Sequence, residues 1–242
     1  MKTIKEAVRE KYAKAAKEAA SCCEPSCCDS GAKLVDYGEV EGVVSESNLG
    51  LGCGMPTQFA SLKPGEVVVD LGSGAGIDVF LAAQDVGASG RVIGIDMTPE
   101  MIERARENAA KHEIQNVEFR QEDIESMPVE DGSVDVVISN CVINLAPDKA
   151  RVYSEMHRVL RPGGRFVVSD MVTYGRVPEA VRKDLELWAG CVAGALDREQ
   201  YLGIIQAAGF ERVTVRSEST YDSPAKAEYG LKSVTLEGWK RG

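Results

Sequence analysis

Seven cysteines give this 242-residue chain its most distinctive chemistry. Four form two adjacent pairs around a proline, Cys22, Cys23, Cys27 and Cys28 in SCCEPSCCDS, and three stand alone at Cys53, Cys141 and Cys191. Thiolates are soft ligands and nucleophiles, so such a set suits soft-metal or redox chemistry better than a disulfide scaffold. Adjacent cysteines do not comfortably share one ion, and the spacing of the pairs matches no standard zinc pattern. The pairs therefore read as thiols that exchange or collect a thiophilic ion, with an incidental cysteine-rich linker as the alternative. Each single cysteine has a plain alternative too, as a small buried hydrophobe.

A second set of residues follows apolar runs. In VVVDLGSGAG, three valines lead into Asp70 and then into Gly72, Ser73, Gly74 and Gly76. This reads as a buried parallel strand turning sharply into a helix, with backbone left bare for a ligand. The spacing is GxGxG with an acid two residues before the first glycine, and differs from the GxGxxG of pyrophosphate-binding folds. RVIGIDM ends a second strand at Asp96 and Met97, and NVEFRQEDIESMP carries a third strand to Asp123 and Ile124. An acid after the second strand suits two ribose hydroxyls, and one after the third suits an adenine amino group. The dull alternative is that these aspartates only terminate strands and cap helices. SVDVVISNCVINL gives a fourth strand whose exit holds Asn140 beside Cys141. His112 and His157 lie in charged helical stretches and read as surface or packing residues.

The elements that must position these groups alternate strand and helix, which predicts an α/β, doubly wound, Rossmann-like, mostly parallel sheet. Helices are expected near 78–86 and over PEMIERARENAAKH, the latter with Thr98 as N-cap and Pro99 first. DKARVYSEMHRVLRPGG should be a helix broken at Pro-Gly-Gly, followed by the strand RFVVSDMV. REQYLGIIQAAGF predicts a further helix, and ERVTVRSES and LKSVTLEGW a C-terminal antiparallel strand pair. Residues 1–60 should hold an amphipathic helix (Ile4, Val8, Tyr12, Ala15, Ala16, Ala19), the cysteine pairs and a flexible loop that covers the site. A mobile, solvated N-terminal helix is the alternative. Residues 61–174 form the ligand-binding core and 175–242 a substrate-side and edge-strand region.

Composition sets outer bounds. A net charge of −10, without a Lys/Arg cluster, argues against nucleic-acid binding. No stretch is apolar enough to span a bilayer, and the charged start lacks a secretory core. A cytoplasmic monomer is the expectation.

DLGSGAGIDVF resembles the first motif of class I S-adenosylmethionine-dependent methyltransferases. With GIDMTPEMIERAREN, ISNCVINLAPDKARVYSEMHRVLRPGG and WAGCVAGAL, residues 50–200 closely resemble the arsenite S-adenosylmethionine methyltransferases. The resemblance implies S-adenosylmethionine bound at Asp70, Gly72, Ser73, Gly74, Gly76, Asp96, Met97, Asp123, Ile124 and Asn140. It implies Cys53, Cys141 and Cys191 as the thiols that bind arsenic(III), glutathione or thioredoxin as reductant, and arsenic detoxification by methylation. Its carry-over to the cysteine pairs is poor, and it fades after residue 215. The chemistry agrees: arsenite is a soft three-coordinate centre, and three thiolates are the ligands a protein offers it. Cys53, between two glycines, is expected to be the movable ligand of the three. Two other readings stay open on sequence. One is methylation of a carbon or oxygen of a small organic metabolite such as a quinone precursor; the other is non-enzymatic sequestration of arsenic or a soft metal.

Overall fold

The β-branched runs form the middle of a single sheet. The computed structural model describes residues 2–18, 37, 40–220 and 229–242, so Cys22, Cys23, Cys27 and Cys28 lie outside the described residues. The strands are β1 (Val67–Leu71), β2 (Arg91–Asp96), β3 (Val117–Gln121), β4 (Val134–Asn140), β5 (Leu160–Thr173), β6 (Leu196–Asp197), β7 (Phe210–Thr220) and β8 (Lys232–Lys240). They lie in the order β3-β2-β1-β4-β5-β8-β7, with the short β6 beside β5. Strands β1 to β5 pair in parallel, and β8 runs antiparallel to both β5 and β7. This is the expected doubly wound sheet with its antiparallel C-terminal pair.

Strand residues alternate between two apolar layers, as the period of two requires. Val68, Val92, Val136 and Val167 face helices α3 (Ile77–Val86) and α4 (Pro99–Lys111), where Phe80, Ala83, Ile102 and Ala105 pack. Val69, Ile93, Val137, Phe166 and Val168 face the opposite way. There they meet Tyr153 and Met156 of α5 (Lys149–Val159) and Tyr201 and Ile205 of α8 (Arg198–Ala207). The described residues also include the short helices α2 (Thr57–Ala60), α6 (Glu179–Arg182) and α7 (Leu185–Ala189).

The N-terminal helix α1 (Ile4–Glu18) is docked rather than solvated. Its Val8, Ala15 and Ala16 are buried, and it packs on α4 and α7. Two boundaries differ from expectation. Strand β3 stops at Gln121, so Asp123 lies beyond it in a turn. Pro162, Gly163 and Gly164 belong to β5, where the pairing with β4 shifts register, because α5 has already ended at Val159. Among the described residues no helix is long and apolar enough to cross a membrane.

Candidate active site

The carboxyl ends of β1, β2 and β4 open onto a cavity of about 1000 Å³, its mouth included. Its wall includes Asp70, Gly72, Ser73, Gly74, Asp96 and Cys141. The turn after β1 needs its glycines. Gly72 has φ +69°, and a Cβ there would strike the Val142 side chain. Gly72 and Ser73 both donate their N–H groups to the Ile95 carbonyl, at 2.8 and 3.0 Å, which locks the turn against the end of β2. Asp96 faces it from there, accepting Gly74 N–H at 3.0 Å on one oxygen and Thr98 N–H at 2.8 Å on the other. Each oxygen keeps a lone pair for a ligand hydroxyl. Thr98 does occupy the N-cap of α4, but its side chain makes no cap bond.

Three carboxyl groups gather under this cavity without a basic residue among the partners that hold them. Burial, then Asp78, then Asp96 push the Asp70 carboxyl well above the usual range. Burial raises Asp78 to about 6, against the lowering effect of hydrogen bonds from Asn140 and Tyr37. Asp96 is raised by burial as well. An enclosure of this kind favours a cation. Ser73 Oγ is buried in the same turn with no hydrogen-bond partner. A ligand with hydroxyls and a positive charge suits this cavity, and S-adenosylmethionine has both.

Asp123 and Ile124 also line the cavity, but the Asp123 carboxylate is taken. Lys5 of α1 reaches over to pair with both Asp123 and Glu125. An adenine amino group would have to share that acceptor. Met97 and Gly76 are placed differently: Met97 lines the cavity, whereas Gly76 lies behind the turn at φ +98°, packed near Phe80.

The three single cysteines converge above the end of β4. Cys53 and Cys141 form a disulfide with a Cα–Cα distance of 5.8 Å. Cys191, 9% exposed, follows α7 and donates its thiol to the Cys141 carbonyl at 3.1 Å. Cys141 and Cys191 both have φ +60°, a left-handed conformation that costs a non-glycine residue on the order of 1–3 kcal/mol. Their turns are tied together: Trp188 donates Nε1–H to the Leu145 carbonyl at 3.1 Å, and the Trp188 carbonyl accepts Cys191 N–H at 3.0 Å. Val8 of α1, Leu145, Met171, Val192 and Leu231 enclose the sulfurs in an apolar shell.

The backbone around Cys53 is held from both sides. Asn140 Oδ1 accepts Cys53 N–H at 3.1 Å and Gly54 N–H at 3.2 Å, and Ser233 donates its hydroxyl to the Cys53 carbonyl at 2.7 Å. The flanking glycines serve close approach: a Cβ on Gly52 would lie 2.7 Å from Asn140 Nδ2, and one on Gly54 would strike Ser169. In this structure Cys53 and Cys141 are joined, whereas the resemblance implies three separate thiols. With two sulfurs bonded to each other, no group of three His, Cys, Asp or Glu side chains among the described residues is arranged for a metal ion.

Asn140 was expected among the cofactor residues. It lines the cavity, yet its carboxamide is committed to the Cys53 loop. Sequence reading missed Tyr37, Asp78, Lys5 and Trp188, whose partners lie far away along the chain; Asp78 alone gave a local sign, an acid two residues after the last glycine.

The fold and the strand-end cavity define a class I S-adenosylmethionine-dependent methyltransferase, and a family model described as a methyltransferase domain matches residues 62–209. The arsenite methyltransferase of Halobacterium salinarum is 47% identical, over 98% of this chain and 66% of that protein. That of Aquipseudomonas alcaligenes is 37% identical, over 85% of this chain and 61% of its own length. The crystal structure of an arsenic(III) S-adenosylmethionine methyltransferase from Chlamydomonas reinhardtii superposes with a TM-score of 0.71 at 38% identity, covering 78% of this chain and 68% of that one. The chain belongs to the arsenite methyltransferase family. It spans less than two thirds of the length of the two curated relatives.

Proposed function

We propose that this protein transfers a methyl group from S-adenosylmethionine to trivalent arsenic held by Cys53, Cys141 and Cys191. One observation carries the reading: Cys141 belongs at once to the cysteine cluster and to the wall of the cavity built on Gly72, Ser73, Gly74 and Asp96. A centre bound at that sulfur lies beside whatever occupies the cavity.

The bound cofactor supplies a methyl group made electrophilic by its positive sulfur. Asp96 would hold its ribose, the Gly72–Gly74 turn its amino-acid portion, and the buried acids its positive charge. The cysteines hold arsenic with its lone pair free, so no general base is needed at the reacting centre. Catalysis is then alignment, with reacting atoms about 3–3.5 Å apart. Val8, Leu145, Met171 and Leu231 pack around the sulfurs and lower the polarity of their surroundings. The Cys53–Cys141 disulfide must be reduced to two thiols before both sulfurs can ligate, and methyl transfer oxidises arsenic formally by two electrons. A thiol reductant, glutathione or thioredoxin, suits both needs. Ligation requires thiolates, so substrate binding releases protons.

The test is incubation of the reduced protein with methyl-labelled cofactor and arsenite, with and without excess thiol. Methylated arsenic is expected, with multiple turnovers only when thiol is present. Cofactor binding without any methylated arsenic from the reduced protein would sink the reading.

A further inference from the structure

A hydroxyl, a carboxylate and a carboxamide from three separate parts of the chain meet behind Cys53. Tyr37 lies before the loop, Asp78 in the first turn of α3, and Asn140 at the end of β4. Tyr37 Oη is 3.0 and 3.1 Å from the two Asp78 oxygens. Its single proton goes to that carboxylate, the strongest acceptor in reach. Asn140 Nδ2 faces only acceptors: Tyr37 Oη at 2.8 Å, the Gly54 carbonyl at 2.8 Å and Asp78 Oδ2 at 3.1 Å. Its Oδ1 faces only donors, the backbone N–H groups of Cys53 and Gly54. The carboxamide therefore has one permitted orientation, and Asp78 and Tyr37 set it.

We propose that Tyr37, Asp78 and Asn140 are positioning residues for the Cys53 sulfur, holding it within ligating distance of Cys141 by fixing the backbone on both sides of it. None of the three touches the substrate in this role; Tyr37 and Asp78 act through Asn140. The proposal rests on the reading of Cys53 and Cys141 as arsenic ligands. Asp78 also belongs to the acids under the cavity, so the same side chain borders the donor site and anchors the acceptor loop.

The arrangement makes a distinction that a generally structural role does not. Tyr37, Asp78 and Asn140 also line the methyl-donor cavity, so loss of the Tyr37 hydroxyl, or of the Asn140 donor, should loosen arsenic capture by a larger factor than it changes methyl-donor binding. The probe is phenylarsine oxide, whose arsenic forms two As–S bonds with a pair of thiols and loses its oxygen as water. The parent protein carries serine at Cys22, Cys23, Cys27, Cys28 and Cys191, so that Cys53 and Cys141 are the only thiols, and it is kept reduced. Phenylarsine oxide and S-adenosylmethionine are titrated separately into the parent, into Tyr37→Phe and into Asn140→Asp. Asn140→Asp keeps the size of the side chain but turns an oxygen toward Asp78 and the Gly54 carbonyl.

The expected result is capture weakened about tenfold or more in both variants, the loss of one or two hydrogen bonds, and weakened by a clearly larger factor than cofactor affinity. In the otherwise native sequence, the same variants should raise KM for arsenite more than they lower kcat. Unchanged capture would overturn the proposal. A loss of cofactor affinity in step with capture would overturn it too, and would return Asn140 to the cofactor site. Tyr37→Phe removes a single oxygen, so the test survives a failure of Asn140→Asp to fold. Capture by the parent, together with no methylation of arsenite by the native sequence, would sink the methyl-transfer reading and leave the positioning role standing.

Discussion

Asp96 does two jobs with one carboxylate. It anchors the glycine turn through Gly74 N–H and the start of α4 through Thr98 N–H, and it presents its remaining lone pairs to the cavity. Asp96→Ala should therefore weaken S-adenosylmethionine binding by roughly 10- to 100-fold, the range for hydrogen bonds to a charged group, while arsenical capture at the cysteines stays near normal. Calorimetric titration of both ligands checks this; unchanged cofactor affinity in a folded variant would remove Asp96 from the site. The positions of Asp96 at the close of β2 and of Cys141 at the exit of β4 were legible in the sequence, because an acid or a thiol that ends an apolar run marks a strand end. The hydrogen bonds that hold the Cys53 backbone were not legible. Glycines signal both flexibility and close approach, and only the neighbours, Asn140 and Ser169, show which applies. Those neighbours lie 87 and 116 positions away from Cys53, beyond the reach of any local pattern.

At the scale of elements, the ends of β1 and β2 and the first turn of α3 bring Asp70, Asp96 and Asp78 together. Alternation of strand and helix predicts such a gathering in outline, since parallel strands deliver their ends to one side. It does not predict how deeply the acids are buried, nor that α1 would send Lys5 to Asp123. The burial has a measurable consequence. A positively charged ligand favours the ionised form of carboxyls that burial has raised, so its binding expels protons held by Asp78 and Asp70. Cofactor affinity should rise with pH through about 6, the value to which Asp78 is pushed, with Asp70 adding to the rise. Titrations over roughly pH 5 to 8, in buffers of different ionisation enthalpy, should show proton release on binding. Flat affinity across that range would mean that the acids do not sense the ligand's charge.

For the molecule as a whole, the two apolar layers followed from the valine-rich strands and the periodic helices, and the sheet order agreed with them. A charge inside the second layer did not follow. Asp170 lies on β5, wholly buried near the aromatic group of Tyr153, Tyr201 and Phe166. It accepts hydrogen bonds from Met171 N–H at 2.9 Å, Tyr201 Oη–H at 2.9 Å and Asn144 N–H at 3.1 Å. Burial nevertheless raises its carboxyl to about 6, with those bonds and the nearby Lys149 opposing the rise. A raised native value means that the folded state binds the proton more tightly than the unfolded chain. The resulting stabilisation is complete below the unfolded pKa of about 3.9 and is lost as pH rises through about 6. Its full size is on the order of 3 kcal/mol. Asp170→Asn removes the titration. The variant should be less stable at its best, because an amide hydrogen then faces a backbone N–H, but it should lose less stability between mildly acid and neutral pH than the native sequence. The measurement is the urea midpoint of both proteins across that interval. The difference between the two slopes isolates Asp170 from the repulsion that a net charge of −10 adds to both. Parallel slopes would show that Asp170 is already ionised at acid pH, held there by its three donors and Lys149.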